Sequence, residues 1–201
     1  MRMSLHERLY NWLSPADGPG QGDLIFVLAG RQSRKIYALE LFRQGLGGTL
    51  LMSVGRFEIR KFAQLPLPAD VDLPRIASTT PPRLRHYFLR FQDGIVEADR
   101  VPRGRLGTLS EIRALAQWLE ARPQIGTLLV VSGGPHLRRV RACCRALLPA
   151  RLQVSFIAAP ESGDVDPSTR LDRKWRALVL KEIPKLFIYR LVLSARALCR
   201  R

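Results

Sequence analysis

Residues 127–144 constrain the fold of this chain more than any other segment. Positions 127–131 are all apolar or β-branched, a pattern that predicts a buried strand. The small residues at 132–135 end that strand, and His136 and Arg139 then open a helical run. Backbone N–H groups and the positive end of the helix dipole would point into this turn, so a cationic helix start indicates an anionic ligand. The alternative is an ordinary strand-to-helix turn whose arginines are solvated.

The charge balance narrows the class of partner. Lys plus Arg number 33 and Asp plus Glu 17 among 201 residues, which gives a formal net charge of +16, and the basic residues are spread along the whole chain. This excess favours anionic partners such as phosphorylated small molecules or a membrane surface. A GC-rich genome that prefers Arg codons would produce the same bias. Since no basic stretch alternates with aromatic residues, we expect no specific nucleic-acid partner.

Length and composition predict one domain spanning residues 1–201. The chain is 46% hydrophobic and 25% charged, which is ordinary for a globular protein with a single core. Its cysteines, Cys143, Cys144 and Cys199, form no disulfide framework, and adjacent cysteines are too close to pair with each other. This usage indicates a reducing compartment. With no signal peptide and no run of about 18 apolar residues, we expect a cytoplasmic protein.

Helices are predicted at both ends of the chain. Residues 1–13 form a short amphipathic segment, and residues 172–198 form a long one that Pro184 interrupts. We therefore expect a long C-terminal amphipathic helix that is kinked near the proline and packs on the domain. The alternative for this helix is peripheral contact with the inner face of a membrane, because its polar residues are mostly basic.

Strands alternate with helices between these two segments. The predicted order is strand 23–28, helix 34–44 with Gly45 at its C-cap, strand 49–53, short helix 55–62, helix 108–120, strand 127–131, a helix from 136, and strand 152–158. This alternation predicts an α/β protein, a Rossmann-like three-layer sandwich with a mostly parallel central sheet. Helix 108–120 is predicted to begin at Thr108 as its N-cap, with Glu111 completing a capping box.

Residues 64–105 depart from the alternation and are predicted to be an insertion. The segment 66–82 carries five prolines and is predicted to be a loop or connector. The segment 86–101 predicts a hairpin at an edge of the sheet, because Asp93-Gly94 is a favoured two-residue turn.

The loops that follow the strands of a parallel sheet line one crevice. Small, polar and cationic residues follow three of the predicted strands, and the start of helix 108–120 could face the same edge. The residues predicted to bind a ligand are Gly30, Arg31, Arg34, Ser53, Arg56, Glu58, Thr108, Ser132, Gly133, Gly134 and Arg139. Within this set, Arg34 and Arg139 would neutralise an anion, while Ser53, Ser132 and nearby backbone N–H groups would hydrogen-bond it.

The chain lacks the common phosphate-binding and nucleophile motifs. There is no G-x-G-x-x-G after the first strand, no P-loop and no G-x-S-x-G elbow. The three histidines lack metal-ligand spacing, so no metal site is expected. His136 is the best candidate for a catalytic acid or base, because an imidazole titrates near neutrality. Glu111 or Glu58 could orient it or share the proton transfer.

Taken in order, these segments resemble the bacterial YdcF/SanA/ElyC family of α/β domains, over roughly residues 23–192. The resemblance lies in the strand 24–28 ending at Gly30, Arg34 ahead of "LELFRQG", "LLMSVG" with Ser53, the Thr108/Glu111 pair, "LLVVSGGPHLRR" with His136 and Arg139, and a tail of Glu182, Lys185 and Tyr189. The strand–turn–His–x–x–Arg element is its most specific part. Val54 stands where the family often has a second glycine.

The resemblance implies a Rossmann-like fold, a polar crevice for a nucleotide-like ligand such as S-adenosylmethionine, and a role in cell-envelope or polysaccharide metabolism. It implies no established reaction. Our leading hypothesis is a protein that binds a phosphorylated or otherwise anionic small ligand, whether or not it is an enzyme. The rival is a non-catalytic basic protein that associates with anionic membrane or nucleic acid. A methyltransferase-like enzyme is a third hypothesis, in which Glu58 is the acidic residue nearest to the position that would hold an adenosine ribose.

Overall fold

The computed structural model describes residues 5–62, 64–67, 71–102, 104–160 and 173–198. The helices of this part of the chain are α1 (Leu5–Leu13), α2 (Gln32–Arg43), α3 (Ile59–Phe62), α4 (Leu73–Ser78), α5 (Gly107–Glu120), α6 (Leu137–Leu147) and α7 (Arg173–Leu198). Its strands are β1 (Gly22–Val27), β2 (Gly47–Gly55), β3 (His86–Gln92), β4 (Ile95–Arg100), β5 (Thr127–Gly133) and β6 (Gln153–Ala159). Residues 161–172, for which the sequence indicates a polar loop, residues 1–4 and Cys199 lie outside the described residues.

The six strands form one mixed sheet in the order β4-β3-β2-β1-β5-β6. β1 pairs in parallel with β2 and β5, and β5 pairs in parallel with β6. After β1 the chain moves outward to β2, β3 and β4, and it then crosses back to place β5 on the other side of β1. The strand order therefore reverses between β1 and β5. In open α/β sheets this is the position where a crevice forms at the carboxyl ends of the strands.

The sheet is buried by helices on its two faces. One face packs apolar side chains of alternate strand residues, among them Leu24 and Phe26, against α5, α6 and the Tyr189 ring of α7. The opposite face packs Ile25 and Val27 against α2, α3 and α4. Strands with both faces covered need continuous apolar sequence, which explains the unbroken apolar runs in β1, β2 and β5.

The antiparallel hairpin confirms the turn prediction. β3 runs antiparallel to β2 and to β4, which places the β3–β4 pair at one edge of the sheet. Asp93 and Gly94 adopt φ of 50° and 75°, the left-handed conformations that the central residues of a type I′ turn require. This hairpin is the antiparallel part of an otherwise parallel sheet.

The prediction that residues 66–82 are a loop was wrong in part. The described residues there include α4, whose N-cap Asp72 accepts a hydrogen bond from the Arg75 N–H at 3.0 Å. Pro74 stands in the first turn of α4, where its missing N–H costs no hydrogen bond. The prolines of this stretch predicted a loop, but Pro74 stands at the start of a helix, a position that proline favours.

The predicted capping of α5 was also wrong. The N-cap residue is Leu106, and Thr108 lies inside the first turn of the helix. The Glu111 carboxylate turns away from the helix start and accepts a hydrogen bond from the Ala29 N–H at the end of β1. A buried tertiary partner has taken the carboxylate that local spacing assigned to the cap.

The buried thiols of α6 belong to the core. Cys143 and Cys144 are free and lie in the cluster between the sheet and α5. Burial raises the pKa of Cys143 to about 12, and it raises the pKa of Cys144 well above its ordinary value. Neither sulfur is a nucleophile at neutral pH.

The C-terminal helix α7 continues through Pro184 as one element of 26 residues. It packs Val179 and Leu186 against Leu13 of α1 and Tyr189 against the core. Its exposed residues include further large apolar side chains. A simple amphipathic helix has apolar residues on its buried face alone, whereas α7 also has them on an exposed face. Among the described residues, no helix is both long and apolar enough to cross a membrane.

Candidate functional site

A cavity of about 280 Å³ lies where the strand order reverses, at the carboxyl ends of β1 and β5. Its wall is formed by the end of β1, the end of β5 and residues from four helices. The lining residues are Leu28, Ala29, Gly30, Arg31, Arg34, Thr108, Glu111, Ser132, His136, Arg139, Val140 and Leu178. Arg34, His136 and Arg139, which are more than 100 residues apart at the extremes, thus line one cavity.

Arg34 is positioned by two glycines. It is 8% exposed, and its Nη1 lies 3.4 Å from the Ala29 carbonyl oxygen. A Cβ added at Gly30 would lie 2.9 Å from Arg34 Nη1, and one at Gly133 would lie 2.8 Å from Nη2. Gly30 also has a φ of 141°, which other residues rarely adopt. Both glycines leave room for the planar guanidinium between the ends of β1 and β5.

Glu182 of α7 joins His136 and Arg139 in one buried network. Its Oε2 lies 3.1 Å from His136 Nδ1 and 3.0 Å from Arg139 Nη2, and its Oε1 lies 2.8 Å from Lys185 Nζ. Arg139 also donates to the Thr108 hydroxyl and stands 5.0 Å from the centre of the Tyr189 ring. The carboxylate is 1% exposed, so most of its solvation comes from these partners.

The network fixes the charge states of its members. Burial alone would raise the pKa of Glu182, but the His136 hydrogen bond and the nearby cations Arg139 and Lys185 hold it at about 2. Burial lowers the pKa of His136, and Arg34 and Arg139 add to that effect against the opposing pull of Glu182. The imidazole is therefore neutral at pH 7. Its Nδ1–H then donates to Glu182, which leaves Nε2 as the basic nitrogen.

Ser132 provides an unsatisfied donor in the same cavity. Its side chain is 1% exposed, and its hydroxyl has no hydrogen-bond partner among the described residues. A buried hydroxyl without a partner costs free energy and is uncommon in folded proteins. Because Ser132 lines the cavity, a ligand there could supply the missing partner.

Glu111 lines the cavity near the end of β1. Its Oε1 accepts from the Ala29 N–H at 2.9 Å and from the Ser53 hydroxyl at 2.5 Å, with His86 Nε2 at 3.5 Å. Burial raises the pKa of Glu111, but the bonds from His86, Ser53 and Ala29 outweigh it and leave the pKa below its ordinary value. Glu111 is therefore an ionised and well-solvated carboxylate.

Glu58 occupies the next amide of the same turn. Its Oε1 accepts from the Gly30 N–H at 2.8 Å, and its Oε2 is paired with the buried Lys35. Burial raises the pKa of Glu58 despite Lys35 and the Gly30 amide, and the nearby Glu111 raises it further. The two carboxylates thus take successive backbone donors, and their pKa values are displaced in opposite directions.

Two further cavities adjoin the central one through residues they share with it. One of about 240 Å³ includes Gly30, Arg56, Glu58 and Glu111, and another of about 560 Å³ includes Gly30, Arg31 and Glu58. The three cavities therefore meet at the Gly30 turn, and a ligand larger than a simple anion could extend from one to the next.

Not every predicted site residue lies in the central cavity. Ser53 is fully buried and hydrogen-bonds His86 and Glu111. A Cβ at Gly134 would meet the Tyr10 hydroxyl at 2.5 Å, which places this glycine against α1. Arg56 stacks on the Phe57 ring at 4.3 Å in the neighbouring cavity. Like Glu58 and Gly133, these three residues shape or flank the site and do not line its centre.

Sequence reasoning assigned no site role to Glu182, His86 or Lys35. Glu182 is the one acidic residue among 173–198, and this isolated charge in a basic helix was a usable signal. His86 reaches Ser53 only because β3 pairs antiparallel with β2, a register that no local pattern specified. Lys35 is 2% exposed, although a lysine in the first turn of a helix such as α2 is usually expected to be solvated.

No protein-family model, curated protein or solved structure matches this chain. The part of the chain that the structure describes also holds no group of three or more His, Cys, Asp or Glu side chains that could bind a metal ion.

Proposed function

We propose that the protein binds an anionic small molecule, phosphorylated or nucleotide-like, in the cavity between β1 and β5. The buried Ser132 hydroxyl, which lacks a partner among the described residues, is the observation that carries this proposal. It lines the cavity together with Arg34 and Arg139. A phosphoryl or carboxylate oxygen would accept its hydrogen bond and be attracted by the guanidinium groups.

The charge balance at the cavity supports an anion over a cation. The guanidinium groups of Arg31, Arg34 and Arg139 line it, while the carboxylates at the same place are Glu111 and Glu182. Both carboxylates are already solvated by donors of the protein, and the amides of Ala29 and Gly30 are taken by Glu111 and Glu58. The anion would therefore be held by side chains and not by the β1 turn amides.

The neutral His136 is the group suited to proton transfer. Its hydrogen bond to Glu182 orients the ring and would stabilise the imidazolium form if Nε2 took a proton. The protein would then be an enzyme acting at the bound anionic group, with His136 as the base. Glu111 already accepts hydrogen bonds from Ser53 and Ala29. It would therefore influence His136 or the ligand only through the electrostatic effect of its charge.

We also propose that the chain is related to the YdcF/SanA/ElyC family. A Rossmann-like three-layer sandwich with a YdcF/SanA/ElyC-like site would account for a nucleotide-like ligand such as S-adenosylmethionine. It would also account for a role in envelope or polysaccharide metabolism. In the tail that is part of that resemblance, Glu182 and Tyr189 contact Arg139, and Lys185 pairs with Glu182, which supports this interpretation.

The proposal is tested by calorimetric titration of the wild type and of Ser132→Ala. The probes are pyrophosphate, a nucleoside diphosphate sugar, a polyprenyl phosphate and S-adenosylmethionine. Loss of one hydrogen bond to a charged group should weaken the bound probe by roughly tenfold or more. Ser132→Ala should not destabilise the fold, since the hydroxyl has no partner among the described residues to lose.

The matched control is Ser155→Ala on β6, which removes a hydroxyl level with Leu129 in the sheet and outside the cavity. This variant should bind every probe as the wild type does. Equal affinity of wild type and Ser132→Ala for each probe that binds would remove the cavity from the proposal.

A further inference from the structure

Helix α7 carries a second apolar surface opposite the one it buries. The buried side chains are Val179, Glu182, Leu186 and Tyr189. Large apolar side chains recur at helical spacing on the other side, where they are 60–72% exposed. This apolar stripe consists of Leu180 (60%), Phe187 (62%), Leu191 (71%) and Leu198 (72%), with Ile188 (50%) beside it. Exposing a row of this kind to water is unfavourable and marks a contact surface.

The charges beside the apolar stripe are basic. Residues 173–198 contain seven basic residues and one acidic residue, the buried Glu182. On a helix of 3.6 residues per turn, Lys181 and Lys185 lie along one border of the stripe and Arg190 lies along the other. Burial and the nearby charge of Arg190 lower the pKa of Arg138 in α6. Cations from two helices therefore lie close together along this border.

The neighbouring helix α1 also exposes apolar side chains next to basic ones. Leu5 and Trp12 are exposed and lie seven residues apart on one face of α1, and the exposed Arg8 lies between them. Arg138 stacks over the Trp12 ring at 4.2 Å. Since α1 packs against α7, two adjacent helices present apolar side chains bordered by guanidinium groups.

We infer that the apolar stripe of α7 binds the surface of an anionic lipid bilayer. Its leucines and phenylalanine would enter the headgroup region while the flanking lysines and arginines contact lipid phosphates. Charge complementarity favours this partner over a second copy of the chain, because two copies would bring like charges together across the stripe. The inference is independent of the small-molecule cavity.

Vesicle co-sedimentation tests the inference on the full chain. The probes are vesicles of phosphatidylcholine with about one-third phosphatidylserine and vesicles of phosphatidylcholine alone. We expect binding to the anionic vesicles, weakened by added salt because surface charge attraction is screened. The double variant Phe187→Gln/Leu191→Gln should lose roughly a hundredfold in partitioning, about tenfold for each side chain.

Matched variants separate the apolar from the electrostatic contribution. Ile95→Gln removes a similarly exposed apolar residue on β4, at the edge of the sheet, and should bind as the wild type does. Lys181→Gln/Arg190→Gln should weaken binding by roughly fivefold for each charge. Arg60→Gln/Arg83→Gln lowers the net charge equally at exposed positions away from α7 and should have a much smaller effect.

Three outcomes would overturn the inference. The first is unchanged vesicle binding by Phe187→Gln/Leu191→Gln with helix content and melting temperature intact. The second is a wild-type dimer in analytical ultracentrifugation that the same substitutions convert to monomer, since the stripe would then join two copies. The third is preferential binding to a nucleic acid that competes the protein off the vesicles.

Discussion

The two ends of the parallel strands both carry charged groups, but they differ in how deeply those groups are buried. At the carboxyl ends, the carboxylates of Glu58, Glu111 and Glu182 are largely buried and each holds several donors. At the amino ends, a cavity of about 330 Å³ is lined by Asp23, Arg90 and other polar residues. There Asp23 is exposed, and the partner of Arg90, Glu97, is 48% exposed.

The two ends differ in how far their charged groups are removed from water, and therefore in how much each charge depends on its protein partners. Asp23 accepts from the Gly126 N–H, the Thr127 N–H and the Thr127 hydroxyl, each at 2.8 Å, and so joins the starts of β1 and β5. The carboxylates at the carboxyl ends, by contrast, are buried. Their hydrogen bonds and ion pairs do no more than compensate for the free energy lost when the charges leave water. Glu111 lines the central cavity, Glu58 lines the cavity beside it, and Glu182 binds the cavity residues His136 and Arg139.

The largest predicted effect is the loss of the Glu182 charge. Glu182→Gln leaves the buried Arg139 and the nearby Lys185 without their counter-charge, and removing one partner of a buried pair costs about 3–5 kcal/mol of unfolding free energy. The comparison variant is Glu97→Gln, whose Arg90 pair is exposed and should contribute little. Urea unfolding at pH 7 measures both, and equal effects would show that burial does not distinguish the two ends.

The same variant predicts a pH dependence. The pKa of Glu182 is held at about 2 in the folded protein, below the usual value of 4.5. Its contribution to stability is therefore complete above the unfolded pKa of 4.5 and is lost as the pH falls toward about 2. The difference between wild type and Glu182→Gln in unfolding free energy should shrink over that window.

A second contrast uses one glycine from each end. Gly133→Ala would place a Cβ 2.8 Å from Arg34 Nη2, whereas Gly126→Ala would place one 3.7 Å from Asp23 Oδ2, an ordinary contact. We expect Gly133→Ala to displace the Arg34 guanidinium and weaken the bound anion by roughly tenfold, as for a lost charged hydrogen bond. Gly126→Ala should leave affinity unchanged. The check is calorimetry with the tightest of the probes; equal affinities would mean that Arg34 is not held by this glycine.

The sequence predicted much of the sheet and of the central cavity because both follow from local patterns. Apolar runs and the Asp93-Gly94 turn specify strands and a hairpin, and the strand ends then carry Arg34, Ser132 and His136 to one edge. What could not be predicted depends on long-range pairing. The Ser53–His86 contact requires the antiparallel register of β2 with β3.

The side-chain partners were equally hidden from local reasoning. Glu111 stands three residues after Thr108, which is the spacing of a capping box, yet a backbone N–H of β1 takes its carboxylate. Glu182 comes from a helix about 46 residues beyond His136 in the chain. Spacing shows which residues share an edge of the sheet, but the choice of partner is decided by burial.

A smaller effect is predicted at the amino ends. Asp23→Asn keeps the size of the side chain but removes the charge that strengthens its bonds to Gly126 and Thr127, and those bonds lower the pKa of Asp23. Because the carboxylate is exposed and screened, we expect a loss of only about 1 kcal/mol in unfolding free energy. Anion affinity should not change, and a change would show that the two ends are coupled through β1 and β5.

The smallest expected effect is a pH dependence of anion binding through His136. Burial, with Arg34 and Arg139, holds the pKa of His136 below its usual value of 6.5 in the absence of ligand. An anion beside the ring favours the charged imidazolium, so binding takes up a proton and affinity should rise as the pH falls from about 8 toward 5.5. Sulfate is the suitable probe because its charge is constant over this range. His136→Gln should bind sulfate with no such rise, while Asp23→Asn should keep it. A wild-type affinity that stays flat or falls with decreasing pH would place the anion away from the imidazole and leave Arg34 and Ser132 to hold it.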